Sequence, residues 1–293
     1  QGDAVGREGA MISMRQSIVA PSLALCLIAA LGCGAVTADD SRQGIIFTGD
    51  FESGEMAPYG DSHDYTVQKT QIVSDPVRAG ERALMVTLDR VEHAEICNHR
   101  TDFWLRGMGQ SLGLHEDCWY AVSIHIPEDW QPDTQAELWV QWVLGGSAVG
   151  EVGGPSLAIY VYGDSYRVRK RWGPGADQYR NIWLGDVLTD RGKWTDWVLH
   201  VRWSPGDDGL IELWRDGELA ATDTGQNCVA SDYAPYFKFG IYKWPWKQDK
   251  EAAPSAVTRR AIYFDEIRIA DDRGSNEAVS PTRTPATRGQ GDG

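Results

Sequence analysis

The stretch of sequence that decides the fold is Trp194–Gly217, which reads WTDWVLHVRWSPGDDGLIELWRDG. Its first ten residues largely alternate between apolar and polar side chains, as expected of a β-strand with one buried face. Ser204–Gly209 is rich in residues that favour turns, and a second apolar run follows at Leu210–Arg215. Asp216-Gly217 is a further turn signal. We therefore predict a β-hairpin that ends in a second turn.

Short runs of the same kind lie on both sides of this hairpin. They are rich in Val, Ile, Tyr and Trp and are separated by turn residues, and no internal repeat or long helical stripe accompanies them. The runs are Ile45–Phe47, Ala83–Leu88, Trp119–Ile126, Leu138–Val143, Ser156–Tyr162, Tyr166–Trp172, Tyr236–Tyr242 and Ala261–Ile269. This spacing predicts an all-β fold, a β-jelly roll of the concanavalin-like, two-sheet antiparallel type. We expect the segment near Phe47 to pair with Ile262–Ile269.

The N-terminal region has the pattern of a secretory signal peptide. Arg15 supplies a positive charge, an apolar stretch runs from Ile18 to Leu31, and Val36-Thr37-Ala38 offers small residues for cleavage. An equally weighted alternative is lipoprotein processing, which would leave a lipid anchor on Cys33. Both alternatives predict a secreted or periplasmic protein, and no later segment is expected to span a membrane. We assign residues 1–38 to a signal peptide with an upstream extension, 39–273 to a β-jelly-roll domain and 274–293 to a disordered tail.

The composition limits the class of ligand. The formal net charge of −14 argues against nucleic acid, but it leaves an acidic substrate open because the local charge inside a cleft matters more than the sum. The 13 Trp residues have two interpretations, core filling and flat platforms for sugar rings. We expect a monomer without a cofactor, although many Asp residues leave a structural calcium ion open. Outside the cytoplasm one disulfide is expected among Cys97, Cys118 and Cys228.

Three predicted strands carry polar side chains on alternate residues. Because alternate side chains of a strand point to the same side of the sheet, each set shares one face. The sets are Asn98, Arg100 and Asp102; Trp139 and Gln141; and Tyr236, Lys238, Gly240 and Tyr242. Burying such groups without partners is costly. We therefore predict that they line an open groove on one sheet.

These three strands resemble the strand motifs of jelly-roll polysaccharide lyases. The motifs are Arg100-Thr101-Asp102, Gln141-Trp142-Val143 and the YFKFGIY run Tyr236–Tyr242. The resemblance is greatest to the heparin lyase I and glucuronan lyase group, with alginate lyases more distant. The Trp194–Gly217 hairpin supports it, and it spans about Ile45 to Asp271. It implies that the substrate is an acidic polysaccharide, cleaved by β-elimination next to a uronate.

The resemblance also implies a role for each matched residue. Arg100 and Gln141 would neutralise the uronate carboxylate, so that a carbanion can develop at C5. Tyr242 would be the general acid, and in some members of the group it is also the base. Lys238 matches the Lys of the same strand, and with Lys243 it is a candidate for lowering the pKa of Tyr242. The remaining expected substrate-binding residues near these strands are Asn98, Trp139, Tyr236 and Lys243.

The sequence departs from the motifs at two positions. Asp102 stands where Glu is usual, and Val143 stands where the Gln-x-His motif has its His. Three explanations for the missing imidazole remain open. Tyr242 acts as both base and acid, or a His from another strand reaches the site, or the protein binds without cleaving. The candidate histidines are His93, His99 and His125.

A row of arginines follows the second of these motifs. Arg167, Arg169 and Arg171 alternate along one predicted strand and therefore share a face. One interpretation is an ordinary solvated outer face, and the other is a row of guanidinium groups that bind uronate carboxylates or sulfates. The following loop, with Tyr179 and Trp183, is a candidate lid or sugar platform.

Two other classes of function serve as comparisons. A non-catalytic module that binds acidic carbohydrate on the same fold is the main alternative, because of Val143. A retaining glycosidase is disfavoured, because the Glu-x-Asp-x-x-Glu pattern of jelly-roll glycosidases is absent and the neighbouring acids Asp265 and Glu266 point to opposite faces.

Overall fold

The Trp194–Gly217 stretch forms the predicted hairpin in a computed structural model of the protein. Its two strands pair in antiparallel register from Trp197–Arg215 to Arg202–Leu210. The structure describes residues 36–55, 69–90, 99–105, 112–144, 154–247 and 255–281. The chain divides into the units Gln1–Ala30 and Leu31–Gly293, and all described residues belong to the second.

Fourteen strands and a few short helical turns make up the described residues. The strands are β1 (Ile45–Gly49), β2 (Thr70–Val73), β3 (Ala83–Asp89), β4 (Arg100–Trp104), β5 (Asp117–Ile126), β6 (Asp133–Val143), β7 (Leu157–Gly163), β8 (Ser165–Trp172), β9 (Gln178–Asp186), β10 (Lys193–Arg202), β11 (Leu210–Arg215), β12 (Glu218–Thr224), β13 (Tyr236–Tyr242) and β14 (Arg259–Ala270). The α-helices are α1 (Ala38–Arg42) and α2 (Asn276–Val279), and 3-10 turns lie at Pro174–Ala176, Val187–Asp190 and Trp244–Lys247.

The strands form two antiparallel sheets. The back sheet has the order β12-β11-β10-β5-β14-β3-β2, with β1 also paired to β14. The front sheet has the order β4-β13-β6-β7-β8-β9. The predicted all-β sandwich is therefore confirmed, as is the pairing of the termini, because Phe47 lies opposite Ile269. Strands β2, β9 and β12 were not predicted, and β9 replaces the expected loop around Tyr179 and Trp183.

The hydrophobic core fills the space between the sheets. Trp139, Trp142, Trp197 and Trp203 are all buried there, at 0–1% exposure. The one polar atom of Trp203, Nε1, donates to the hydroxyl of Tyr120 at 3.1 Å, so it is buried without loss of a hydrogen bond. Core filling therefore accounts for these four tryptophans.

A buried ion pair ties the two sheets together at one edge. Lys170 of β8 contacts the carboxylate of Asp223 in β12, and Arg180 of β9 contacts the same carboxylate with 2.7 Å between Nη1 and Oδ2. Lys170 and Asp223 are both almost fully buried, so each charge depends on the other for compensation. This edge holds β8 and β9, which carry part of the groove, against the back sheet.

Two predictions about the chain are corrected. The expected disulfide is not formed by Cys118 or Cys228, which are both buried free thiols, and Cys97 lies outside the described residues. Burial raises the pKa of each of these two thiols to about 12. The boundary at residue 273 is too early, because α2 follows it and Val279 is fully buried against Ala121 and Val198. Within the described ranges, none of the helices has the length and apolar character needed to cross a membrane.

Candidate functional site

The outer face of the front sheet carries a continuous row of paired side chains. Directly opposed residues of neighbouring antiparallel strands lie on the same face of a sheet. The first row runs across all six strands as Trp104, Lys238, Gln141, Ala158, Arg169 and Asn181. It joins two of the predicted catalytic residues to the middle arginine of β8. The predicted groove face is therefore one surface, and the arginine row belongs to it.

A second row lies beside the first on the same face. It runs as Arg100, Tyr242, Leu138, Tyr160, Arg167 and Trp183. Ala136, Leu138, Ala158 and Tyr160 form a small apolar cluster on this face, with Tyr242 and Trp244 packed against it. The face thus has polar groups at β4, β13 and β6, an apolar floor at β6 and β7, and cations at β8.

Asp102 is the centre of the polar end of this face. Its Oδ2 lies 2.7 Å from Nζ of Lys238 and accepts a longer hydrogen bond of 3.4 Å from Nε2 of Gln141. Its Oδ1 accepts from Nε1 of Trp104 at 2.8 Å. Asp102, Lys238 and Gln141 are 1%, 3% and 5% exposed, so the carboxylate is fully desolvated and fully partnered. Asp102 therefore fixes the positions of Lys238 and Gln141.

Arg100 and Tyr242 form a stacked pair next to this cluster. The guanidinium carbon of Arg100 lies 4.0 Å from the ring centroid of Tyr242, within the range of a cation–π contact. Both side chains are only partly buried. Nε of Arg100 is buried without a hydrogen-bond partner among the described residues. The pair brings a positive charge and a phenol together at the open side of the Asp102 cluster.

Gly240 allows β13 to approach β4 closely at this point. Its φ is +133°, and a Cβ added there would lie 2.2 Å from the carbonyl oxygen of Thr101. A side chain at this position would therefore push the two strands apart. The pairing of β13 with β6 is also irregular between Phe239 and Tyr242, whereas its pairing with β4 is regular.

This irregularity overturns the predicted place of Trp139. The β6 register shifts between Leu138 and Val140, so the side chain of Trp139 does not share the face of Gln141. It is 1% exposed and packs edge-to-face against Trp130 in the core, with Nε1 donating to Glu137 at 3.0 Å. Trp139 is therefore a core residue and not part of the groove.

Lys243 is also not in the groove. Its side chain is fully buried, with Nζ 2.7 Å from Asp133 and 3.2 Å from Glu137. Arg260 of the back sheet binds the same Glu137 carboxylate at 2.7 Å. Burial acts to raise the pKa of Glu137, but the two cations outweigh it and hold the pKa below its usual value. The ammonium of Lys243 is committed to this network, so the prediction that Lys243 binds substrate or tunes Tyr242 is wrong.

Three further positions were predicted to lie near Tyr242, namely Tyr236, Val143 and Asn98. Tyr236 is the first residue of β13, where it pairs with Val143, and it is 7% exposed. Val143, which stands where the motif has its His, is partly buried and offers only a hydrocarbon side chain. Asn98 lies outside the described residues.

The candidate histidines have separate outcomes. His125 lies in β5 of the back sheet, opposite Trp194, and points away from the core because Ile124 and Ile126 point into it. It is therefore across the sandwich from Tyr242 and is excluded as the base. His99 is 4% exposed and packs edge-to-face against Trp246 at 5.9 Å. His93 is outside the described residues.

Aromatic rings hold the three arginines of β8 on the groove face. Arg167 lies between Trp183, at 3.7 Å from its ring centroid, and Tyr162, at 4.6 Å. Arg169 donates from Nε to Asn181 at 2.8 Å and from Nη2 to the hydroxyl of Tyr160 at 3.0 Å. Burial, followed by the charge of Arg169, lowers the pKa of Arg171. Trp183 and Tyr179 are 58% and 56% exposed, so β9 presents sugar-sized rings at the surface.

Some of these groove residues were missed at the level of sequence. Trp104 stands two residues after Asp102, and Tyr160 and Tyr162 alternate in the predicted strand Ser156–Tyr162, so spacing alone could have identified them. Asn181 could not have been found in this way, because β9 was not predicted. Among the described residues, no three His, Cys, Asp or Glu side chains come together as a metal-binding group.

Comparisons with known proteins agree with this architecture. A family model described as polysaccharide lyase matches residues 51–268, which is most of the chain. A search of curated protein sequences found no match to this chain. The structure of endo-β-1,4-glucuronan lyase from the fungus Trichoderma reesei is similar with a TM-score of 0.66 and 19% identity, over 82% of this chain and 100% of that one.

A second solved structure is more distant. An alginate lyase from Pseudomonas aeruginosa gives a TM-score of 0.45 and 18% identity, over 72% of this chain and 87% of that one. A similarity at that level adds no support to the fold assignment. The similarity to the glucuronan lyase structure already supports a β-jelly roll. On the strength of the family match, the chain belongs to the polysaccharide lyase family and is a polysaccharide lyase.

Proposed function

We propose that this lyase is exported from the cytoplasm and cleaves a 4-linked, uronate-containing polysaccharide by β-elimination at Tyr242. The observation that carries the proposal is the arrangement around Asp102. Lys238 and Gln141 are fixed by its carboxylate, and the stacked pair of Arg100 and Tyr242 lies on the same face. Positive and amide donors next to a phenol suit a reaction in which charge develops on a carboxylate beside a proton transfer.

Arg100 and Gln141 would bind the uronate carboxylate. Abstraction of the C5 proton places negative charge on that carboxylate, and donors fixed before the reaction stabilise this charge without having to reorganise. Gln141 is oriented by Asp102, and Arg100 by its stacking on Tyr242. Lys238 is held by Asp102, so its role in the proposal is to keep the cluster neutral and rigid.

Tyr242 would supply both proton transfers. Its phenolate removes the C5 proton, the C4–C5 double bond forms as the C4–O4 bond breaks, and the phenol returns the proton to the leaving oxygen. One group does both only when the C5 proton and O4 lie on the same side of the sugar ring. Val143 at the position of the missing His supports this choice, as does the place of His125 in the back sheet.

Stereochemistry therefore narrows the substrate. In 4-linked glucuronate and mannuronate the C5 proton and O4 are on the same side of the ring, whereas in guluronate they are on opposite sides. The similarity to a β-1,4-glucuronan lyase makes glucuronan the first substrate to test. We expect cleavage of glucuronan and none of polyguluronate. Cleavage of polyguluronate alone would contradict the single-tyrosine mechanism, and binding of glucuronan without products would favour the carbohydrate-binding alternative.

A further inference from the structure

The arginines of β8 differ in their partners from three arginines elsewhere in the fold. Arg78, Arg215 and Arg260 each bind a carboxylate at 2.7 Å or less. Within the described ranges, Arg167 and its two neighbours on the groove face have no carboxylate partner, although the protein carries a net charge of −14. Unpaired cations placed side by side repel each other, so an arrangement of this kind suits an anionic ligand.

Arg167 is the member of the row whose donors are left for a ligand. Arg169 already donates to Asn181 and Tyr160, and Arg171 donates to the carbonyl of Ala176 at 3.4 Å. By contrast, the side chain of Arg167 donates no hydrogen bond within the described residues, and its Nε, like that of Arg171, is buried without a partner. Trp183 and Tyr162 contact the guanidinium group and fix its orientation, and Arg167 as a whole is only partly buried.

The position of Arg167 relative to Tyr242 follows from the sheet. Both belong to the row that runs through Leu138 and Tyr160. They are three strand spacings apart, about 14 Å. This separation is larger than one sugar ring, so a chain laid across the strands over the apolar floor would reach Arg167 with a sugar that is not the one being cleaved.

From these observations we infer that Arg167, clamped by Trp183 and Tyr162, is a distal subsite that binds the carboxylate of a uronate several sugars from the cleaved bond. The exposed ring of Trp183 supports the sugar itself. This inference rests on the proposed function, because Tyr242 marks the place of cleavage. It makes binding depend on chain length, since only a long oligomer occupies both sites.

Calorimetric titration in the Tyr242→Phe background tests the subsite without turnover. The ligands are a long and a short oligoglucuronate, a long sulfated oligomer, and a long cello-oligosaccharide as the uncharged probe of the same linkage. Arg167→Gln should raise the Kd of the long oligoglucuronate about tenfold more than that of the short one, which corresponds to about 1.4 kcal/mol. Trp183→Ala should also weaken the cello-oligosaccharide. Arg180→Gln is the matched control, because Arg180 is an exposed arginine of β9 that binds Asp223.

The outcomes separate the two proposals. An equal effect of Arg167→Gln on the long and the short oligomer, or the same effect from Arg180→Gln, would overturn the distal subsite. A stronger loss on a sulfated oligomer than on the oligoglucuronate would also overturn it, because the subsite is assigned to a carboxylate. If the wild-type protein releases no product from glucuronan while the length-dependent binding is found, the proposed function fails and the subsite stands.

Discussion

Nζ of Lys238 lies 2.7 Å from Oδ2 of Asp102, and both side chains are at least 95% buried. A buried ion pair of this kind contributes little net stability, but the loss of one partner leaves a charge without compensation. The pair also gives the groove its geometry, because the same carboxylate binds Gln141 and Trp104. We therefore expect stability and activity to be coupled at Asp102.

Replacement of Asp102 should affect both properties. We expect Asp102→Ala to lower the free energy of unfolding by about 3–5 kcal/mol, because the buried ammonium of Lys238 loses the carboxylate that compensates its charge. The double variant Asp102→Ala/Lys238→Met should recover much of that stability without recovering activity. Urea unfolding and initial rates measure the two effects. If the double variant is no more stable than Asp102→Ala, the ion pair is not the cause of the loss.

Lys243 should be important for stability and not for substrate binding. We expect Lys243→Met to lower the free energy of unfolding by about 3–5 kcal/mol, because the buried carboxylate of Asp133 loses its ion pair while Glu137 keeps the one with Arg260. The KM of the folded fraction should stay close to the wild-type value. Arg100→Met is the comparison, and it should reduce activity with little change in the unfolding midpoint. A large rise in KM for Lys243→Met would return this residue to the groove.

Asp265 should make stability depend on pH. Burial raises its pKa to about 7, against the opposing effect of backbone donors such as the N–H of Arg78. The folded state therefore holds a proton that the unfolded state, with a usual pKa near 3.9, releases. Between about pH 4 and pH 7 this group makes the protein less stable as the pH rises. Measured across this range, the free energy of unfolding should fall with rising pH in the wild type and fall less steeply in Asp265→Asn. Equal slopes in the two proteins would contradict the assignment.

The sequence was sufficient for most of the sandwich because a half-buried strand imposes a two-residue period on its side chains. The hairpin Trp194–Gly217 and the three motif strands follow this rule, and their faces are those predicted. Trp139 does not, because the register of β6 shifts beside it against both β13 and β7. The shift depends on how three strands pair, and no local pattern in β6 reports it.

Charge patterns were less informative than apolar ones. Lys238 and Lys243 were both predicted beside Tyr242, yet one lies beside Gln141 in the groove and the other lies in a buried network with Asp133. They are an odd number of positions apart, so the two-residue strand period already puts their side chains on opposite faces, and Lys243 directly follows the last residue of β13. The arginine row of β8 had two equal interpretations, and the cross-strand pairing with β7 and β9 puts it on the groove face.

Cleavage at Tyr242 is tested most directly by the ultraviolet absorbance of a 4,5-unsaturated uronate when glucuronan is incubated with the protein. We predict that the wild type generates this absorbance. Tyr242→Phe should generate none while it keeps the wild-type unfolding midpoint, because it removes only a hydroxyl from a ring that still stacks on Arg100. Wild-type rates in Tyr242→Phe, or no unsaturated product from the wild type on any uronate polymer, would contradict β-elimination at Tyr242.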